Sequence, residues 1–123
     1  MTSRQVVLCA DDDDDILSLV ALRLERAGFE VVTATDGDAA VELARERRPA
    51  LAVLDVMMPK RTGYEVLVAI REDAALAGMK VILLSARVQE GDVKLGMDSG
   101  ADAYLAKPFR AQDLVAAVER LLG

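Results

Sequence analysis

Histidine and tryptophan are absent from this 123-residue sequence, and cysteine occurs once, as Cys9. Without histidine the chain can form neither a Ser-His-Asp triad nor a Cys-His pair, and it offers no imidazole to a metal. It also cannot itself carry a phosphohistidine. A single cysteine excludes an intrachain disulfide, and its position within an apolar run indicates a small core residue. Any chemistry must therefore come from carboxylates, hydroxyls and amines.

Positive charge is also scarce, with 15 Lys and Arg against 21 Asp and Glu and a net charge of −6. This balance argues against a domain that binds nucleic acid or an anionic membrane, because both select basic surfaces. No apolar stretch approaches transmembrane length, and the first apolar run is too short for a signal peptide. The phosphate-binding motif GxxxxGK[ST] is missing as well. We expect a cytoplasmic protein.

Apolar residues are abundant, at 53%, which is enough for a substantial core. Five apolar runs recur along the chain, at 6–10, 31–34, 51–55, 81–85 and 103–106. Most of these runs are continuously apolar rather than alternating, which is typical of strands buried on both faces. They predict five strands of a mostly parallel sheet.

The segments between and after these runs have helical patterns. Helices are predicted at 14–27, 38–48, from Thr62 onward, at 89–99 and at 110–122. Thr62 and Glu65 fit a capping box, whereas Gly91 and Gly96 each cost the fourth predicted helix roughly 1 kcal/mol against alanine. Five βα units predict one domain over residues 1–123, an α/β doubly wound parallel sheet with helices on both faces.

Polar residues cluster where the predicted strands end. Asp11 and Asp12 follow the first strand, Asp55 ends the third, Ser85 ends the fourth, and Lys107 follows the fifth. In an open parallel sheet, ligands bind beyond the carboxyl ends of the strands. Three carboxylates, a hydroxyl and an amine are therefore expected at one rim.

The acidic run Asp11–Asp15 raises the question of what offsets its repulsion. Clustered carboxylates without imidazole or thiolate favour a hard cation, and Mg²⁺ is the natural one. One carboxylate is then available as a nucleophile toward phosphorus, while Lys107 and Ser85 can hold the oxygens of the transferred group. The spacing thus indicates an aspartyl-phosphate site. Asp13, Asp14 and Asp15 also suit the positive end of a helix.

Four stretches carry a family resemblance: "DDD" after the first strand, "LDVMMPKRTGYEVL", "LLSAR" and "GADAYLAKPF". From Val6 to Leu122 the sequence resembles the receiver domain of response regulators in two-component signalling. The resemblance implies a flavodoxin-like fold with five helices and a five-stranded sheet. It also implies the strand order 2-1-3-4-5, for which the chemotaxis receiver is a standard example.

The resemblance also implies roles at the rim. Asp55 would accept a phosphoryl group from the phosphohistidine of a sensor histidine kinase or a histidine phosphotransfer protein. Asp11 and Asp12 would hold Mg²⁺, with Asp55 and the backbone carbonyl of Met57 as further ligands. Lys107 would contact the phosphoryl group. The domain would assist its own phosphorylation and dephosphorylation without being an enzyme.

A switch is implied in the same way. Ser85 would hydrogen-bond to the phosphoryl group on activation, and Tyr104 would rotate inward. The surface of the fourth helix, fifth strand and fifth helix would then signal to a downstream protein or to an output domain outside these residues. A phosphorylation-dependent homodimer through the fifth-strand face is left open.

Two other functions are compatible with parts of the pattern. A magnesium-dependent phosphatase with an aspartyl-phosphate intermediate, of the haloacid-dehalogenase type, would have a second aspartate two residues after Asp55, but Met57 stands there. An interaction module without chemistry would lack the acidic pair, Asp55 or Lys107, and all are present. Asp55 could also serve only as a cap for the following turn.

Overall fold

The computed structural model describes residues 4–86 and 100–123. Within these ranges one five-stranded sheet is formed, and all of its neighbouring strands are parallel. The strands are β1 (Val6–Ala10), β2 (Glu30–Ala34), β3 (Leu51–Asp55), β4 (Lys80–Ser85) and β5 (Ala103–Ala106). Their order in the sheet is β2-β1-β3-β4-β5, as the family resemblance implied.

Helices connect the strands. The described residues contain α1 (Asp14–Arg26), α2 (Gly37–Arg47), α3 (Gly63–Glu72) and α4 (Ala111–Leu122). The described ranges thus hold four helices where five were predicted, and α4 corresponds to the fifth predicted helix. The fourth predicted helix, at 89–99, lies outside the described residues. No helix in the ranges described could span a bilayer, given its length and polarity.

Local sequence signals explain where the helices begin. The Asp13 carboxylate caps α1 by accepting two backbone N–H groups of the first turn, and the Asp36 carboxylate caps α2 by accepting one. Thr62 and Glu65 form the predicted capping box at the start of α3. Arg110 precedes α4 without a side-chain cap. Because caps satisfy the otherwise unpaired N–H groups of a first turn, three of the four helices begin at a residue suited to that role.

Two apolar layers cover the sheet. Leu8 and Leu54 pack toward α2 and α3, whereas Val7 and Val53 pack toward α1 and α4. Strand residues alternate between the two layers because successive side chains point to opposite faces. Cys9 belongs to the second layer and is buried as predicted, and burial raises the pKa of its thiol to about 12. With both faces covered, polar groups collect at the carboxyl edge of the strands.

Candidate functional site

The neighbouring strands β1 and β3 bring three carboxylates together. Asp55 is the last residue of β3, and Asp11 directly follows β1, whose Ala10 pairs with Leu54 of β3. Asp11 and Asp55 are buried, with 1% and 4% of their surface exposed, while Asp12 is exposed. One carboxylate oxygen from each of the three lies within 4.8 Å of the others. The predicted acidic cluster therefore exists at the edge where it was expected.

The side chain of Lys107, which directly follows the outer strand β5, extends to this cluster. Its backbone N–H donates to the carbonyl of Ser85 at 2.7 Å, which places the lysine just beyond the paired ends of β4 and β5. The peptide bond that follows it, to Pro108, is cis. Its ammonium nitrogen lies 2.8 Å from Asp11 Oδ2 and 3.3 Å from Asp55 Oδ2. One cation thus faces two buried anions.

Backbone groups fix the other oxygen of each buried carboxylate. The N–H of Asp13 donates to Asp11 Oδ1 at 3.0 Å, and the N–H of Met57 donates to Asp55 Oδ1 at 3.3 Å. Asp11 Oδ2 has the ion pair with Lys107 but accepts no well-oriented hydrogen bond from the part of the chain described. Because buried polar atoms normally have such a bond, this oxygen is suited to an additional positive ligand.

The pKa values of Asp55 and Lys107 also indicate that the cluster lacks positive charge. Burial, and then the charge of Asp11, raise the pKa of Asp55 to about 6, although Lys107 and the N–H of Met57 oppose the rise. Burial lowers the pKa of Lys107, but the neighbouring carboxylates outweigh it and hold the pKa above its ordinary value. The site is therefore short of positive charge. A hard divalent cation, bound by carboxylate oxygens, fits this donor set.

Asp55→Asn should therefore stabilise the metal-free protein. Without divalent ions at neutral pH, we expect the free energy of unfolding to rise by about 1–3 kcal/mol, because a carboxylate with a raised pKa is costly to ionise in the folded state. In the folded native protein the carboxyl group of Asp55, with its pKa of about 6, keeps its proton up to about that pH. The unfolded chain loses this proton near pH 4. The contribution of Asp55 to the free energy of unfolding is therefore fully present below about pH 4 and is lost as the pH rises to about 6.

Urea unfolding in EDTA at several pH values measures this effect. The pH-dependent loss of stability between about pH 4 and 6 should shrink in the variant. Asp38→Asn is the matched control, because that aspartate is exposed and its removal should change stability by less than about 0.5 kcal/mol. If Asp55→Asn were less stable than the native protein at neutral pH, the inferred shortage of positive charge at the acidic cluster would be contradicted.

The remaining predicted site residues lie around this centre. Ser85 is the buried last residue of β4 and follows Leu84, which pairs with Asp55. Tyr104 is half-buried within β5 and pairs with Leu83 of β4. The side chain of Met57 is exposed, and its backbone contacts Asp55. Ser85 thus sits beside the acidic cluster in the sheet, whereas Tyr104 lies further back along β5.

Sequence reasoning missed the ion pair between Lys107 and Asp11. It assigned Lys107 only to an incoming phosphoryl group and Asp13 only to the helix start. In the structure Asp13 makes two contacts, because its carboxylate caps α1 and its backbone N–H donates to the carboxylate of Asp11. A count of charges at the predicted rim, three carboxylates and one amine, was the signal that could have indicated the ion pair.

Comparisons with known proteins agree with this geometry. A family model, the response regulator receiver domain, matches residues 7–119. The alkaline phosphatase synthesis transcriptional regulatory protein PhoP of Bacillus subtilis (strain 168) is 39% identical over 116 residues, which cover 94% of this chain and 48% of that protein. This chain thus spans about half the length of the curated relatives it matches.

Solved structures are similar over nearly the whole chain. The receiver domain of the Francisella response regulator 1452 is 33% identical with a TM-score of 0.90, and the match covers 96% of each chain. The chemotaxis response regulator CheY4 of Vibrio cholerae is 31% identical with a TM-score of 0.91, covering 97% of this chain and 99% of that one. This chain, with its acidic edge, its lysine and its strand order, therefore belongs to the response regulator receiver domain family.

Proposed function

We propose that this domain is the phosphoacceptor of a two-component signalling system, with Asp55 as the residue that is phosphorylated. The donor would be a phosphohistidine of a sensor histidine kinase or of a histidine phosphotransfer protein. The observation that carries the proposal is the ammonium group of Lys107, 2.8 Å from Asp11 and 3.3 Å from Asp55 at the carboxyl edge of the sheet. This arrangement combines a nucleophile with a cation that can neutralise a transferred phosphoryl group.

In the transfer step a carboxylate oxygen of Asp55 forms a bond to phosphorus while the bond from phosphorus to the imidazole nitrogen breaks. The imidazole leaves with the electron pair of that bond. The ammonium group of Lys107 would donate to an oxygen of the transferred group, and the hydroxyl of Ser85 is a second candidate donor. Donors fixed in advance lower the barrier because charge spreads over these oxygens in the transition state.

Mg²⁺ is the proposed cofactor. The carboxylates of Asp11, Asp12 and Asp55 and the backbone carbonyl of Met57 are the groups that would hold it. When bound, a divalent cation supplies positive charge to the carboxylates and to the phosphoryl oxygens. The buried oxygen of Asp11 that lacks an oriented hydrogen bond supports this assignment.

The output of the switch is proposed from the family. Phosphorylation would act through Ser85 and Tyr104 on the surface formed by the fourth predicted helix, β5 and α4. This surface would contact a downstream protein, an output domain or a second copy of the domain, while this domain itself binds no nucleic acid or membrane. A cytoplasmic location is expected for the family. The relatives are regulators, which does not favour the phosphatase alternative.

Intact mass after incubation with a small phosphodonor and Mg²⁺ tests the proposal. The native protein should gain the mass of one phosphoryl group, and the gain should vanish when the metal is chelated. Asp55→Asn should gain nothing, whereas the control Asp38→Asn should behave like the native protein. An unchanged native mass, or an equal gain in Asp55→Asn, would refute the proposal.

A further inference from the structure

The loop of residues 56–62, which we call the β3–α3 loop, follows Asp55 and rests against the first turn of α2. The N–H of Gly37, the first residue of α2, donates to the carbonyl of Pro59 at 3.1 Å. The N–H of Arg61 donates to the same carbonyl at 2.8 Å. The helix α2, which packs in the same apolar layer as α3, is thus joined directly to the loop next to the proposed phosphoacceptor.

The contact at Gly37 has no room for a side chain. A Cβ atom there would lie 2.3 Å from the carbonyl oxygen of Arg61 and 2.4 Å from its Cβ atom. Cβ contacts under 3.0 Å essentially do not occur, and the carbonyl oxygen belongs to the backbone, so the loop or the helix would have to move. The φ angle of Gly37 is not in the left-handed region. Space, and not backbone conformation, is what requires glycine.

Gly63 holds the other end of the same loop. Its N–H donates to the carbonyl of Val56 at 2.9 Å, and a Cβ atom there would lie 2.5 Å from the carbonyl oxygen of Asp55. The β3–α3 loop is therefore held between two close backbone contacts. Met57, whose N–H holds the Asp55 carboxylate, lies between them.

Ion pairs along this contact are peripheral. Arg61 Nε lies 2.9 Å from Asp38 Oδ1, and Lys60 Nζ lies 3.8 Å from Asp36 Oδ2. Both cationic side chains are well exposed, at 39% and 62%. Exposed pairs contribute about 0–1 kcal/mol. These ion pairs therefore restrain the loop less than the close backbone packing at Gly37 does.

We propose that Gly37 is a positioning residue for the phosphoryl site. By allowing α2 to approach the β3–α3 loop, it sets the place of the Met57 backbone relative to Asp55. The inference rests on the proposed function, because it concerns the metal and phosphoryl groups that this site would hold. Groups that orient metal ligands typically alter metal affinity by about 10- to 100-fold when changed.

The test compares Gly37→Ala with Gly78→Ala, a glycine at which an added Cβ would meet nothing within 4 Å. We expect Gly37→Ala to weaken Mg²⁺ binding about 10-fold by calorimetry, and Gly78→Ala to leave it unchanged. Because Asp55 itself stays on β3, saturating Mg²⁺ should restore most of the phosphorylation rate. In metal-free protein, amide NMR signals of the β3–α3 loop should shift only in Gly37→Ala.

Arg61→Met provides a second test that does not depend on the folding of Gly37→Ala. It removes the ion pair with Asp38 but keeps the backbone of residue 61, so Mg²⁺ affinity should change less than about twofold. Equal Mg²⁺ binding by folded Gly37→Ala and Gly78→Ala, or a 10-fold loss in Arg61→Met, would overturn the inference. Normal Mg²⁺ binding without phosphorylation of the native protein would instead refute the proposed function.

Discussion

Lys107→Met should slow the phosphorylation of Asp55 by a small phosphodonor about 100- to 1,000-fold, the range seen when one fixed donor to a developing charge is removed. The side chain of Lys107 is only 18% exposed, and its ammonium group lies between Asp11 and Asp55. Methionine keeps most of the unbranched chain of lysine but has neither charge nor donor. Time courses of intact mass at fixed phosphodonor and Mg²⁺ measure the loss.

The same substitution should also destabilise the fold. It leaves two buried carboxylates without their cation, and breaking a buried ion pair typically costs about 3–5 kcal/mol. Adding Asp55→Asn to Lys107→Met should restore part of this loss in EDTA, since one of the two charges is then removed. Stability would be measured by urea unfolding of both variants.

Lys60→Met is the control for Lys107→Met. The side chain of Lys60 is 62% exposed and its ammonium nitrogen lies 3.8 Å from Asp36 Oδ2, so neither rate nor stability should change appreciably. A Lys107→Met protein that is phosphorylated at the native rate would show that this lysine does not act in the transfer.

Arg71→Met should lower the free energy of unfolding by about 3 kcal/mol. The guanidinium group of Arg71 in α3 donates to the carbonyls of Ala77, Met79 and Gly100 and to the carboxylate of Asp102. It therefore joins the end of α3 to the chain before β4 and before β5. Hydrogen bonds to charged groups contribute about 1.5–3 kcal/mol each, and the solvated members of this set contribute less.

Two comparisons separate this effect from the loss of a charge. Arg45→Met removes an exposed arginine whose Nε lies 4.0 Å from Asp73, and we expect less than about 0.5 kcal/mol. Arg71 acts at the edge where β4 and β5 begin, because Asp102 also accepts the N–H of Val81. Folded Arg71→Met should thus keep its Mg²⁺ affinity. A stability loss no greater than that of Arg45→Met would contradict the role of Arg71.

The inner strands β1, β3 and β4 were predictable because nearly all of their residues are buried, whereas β2 and β5 at the edges of the sheet are only partly buried. All five predicted runs became strands, and β2 and β4 each begin one residue earlier than predicted, at Glu30 and Lys80. These charged residues are exposed but pair through their backbones with Val6 and Leu51. An apolar pattern cannot show such pairing, since it depends on the backbone of a neighbouring strand. Strand order came from the family resemblance for the same reason.

The sequence was sufficient to predict which residues form the site and at which edge of the sheet they lie. Parallel strands align their carboxyl ends, so residues far apart in sequence, such as Asp11 and Lys107, could be assigned to one edge. Their 2.8 Å contact could not be assigned, because it depends on the conformation of the Lys107 side chain, which the sequence does not show. The contact between Gly37 and Arg61 was equally hidden, since a glycine in sequence does not show which backbone approaches it.

Peptide mapping of the phosphorylated protein identifies the carboxylate that carries the phosphoryl group. Borohydride reduces an aspartyl phosphate to homoserine, which marks the modified residue for mass spectrometry after proteolysis. We expect homoserine at Asp55 alone, formed only when Mg²⁺ and a phosphodonor are both present. Homoserine at Asp11, Asp12 or another carboxylate in place of Asp55 would contradict it.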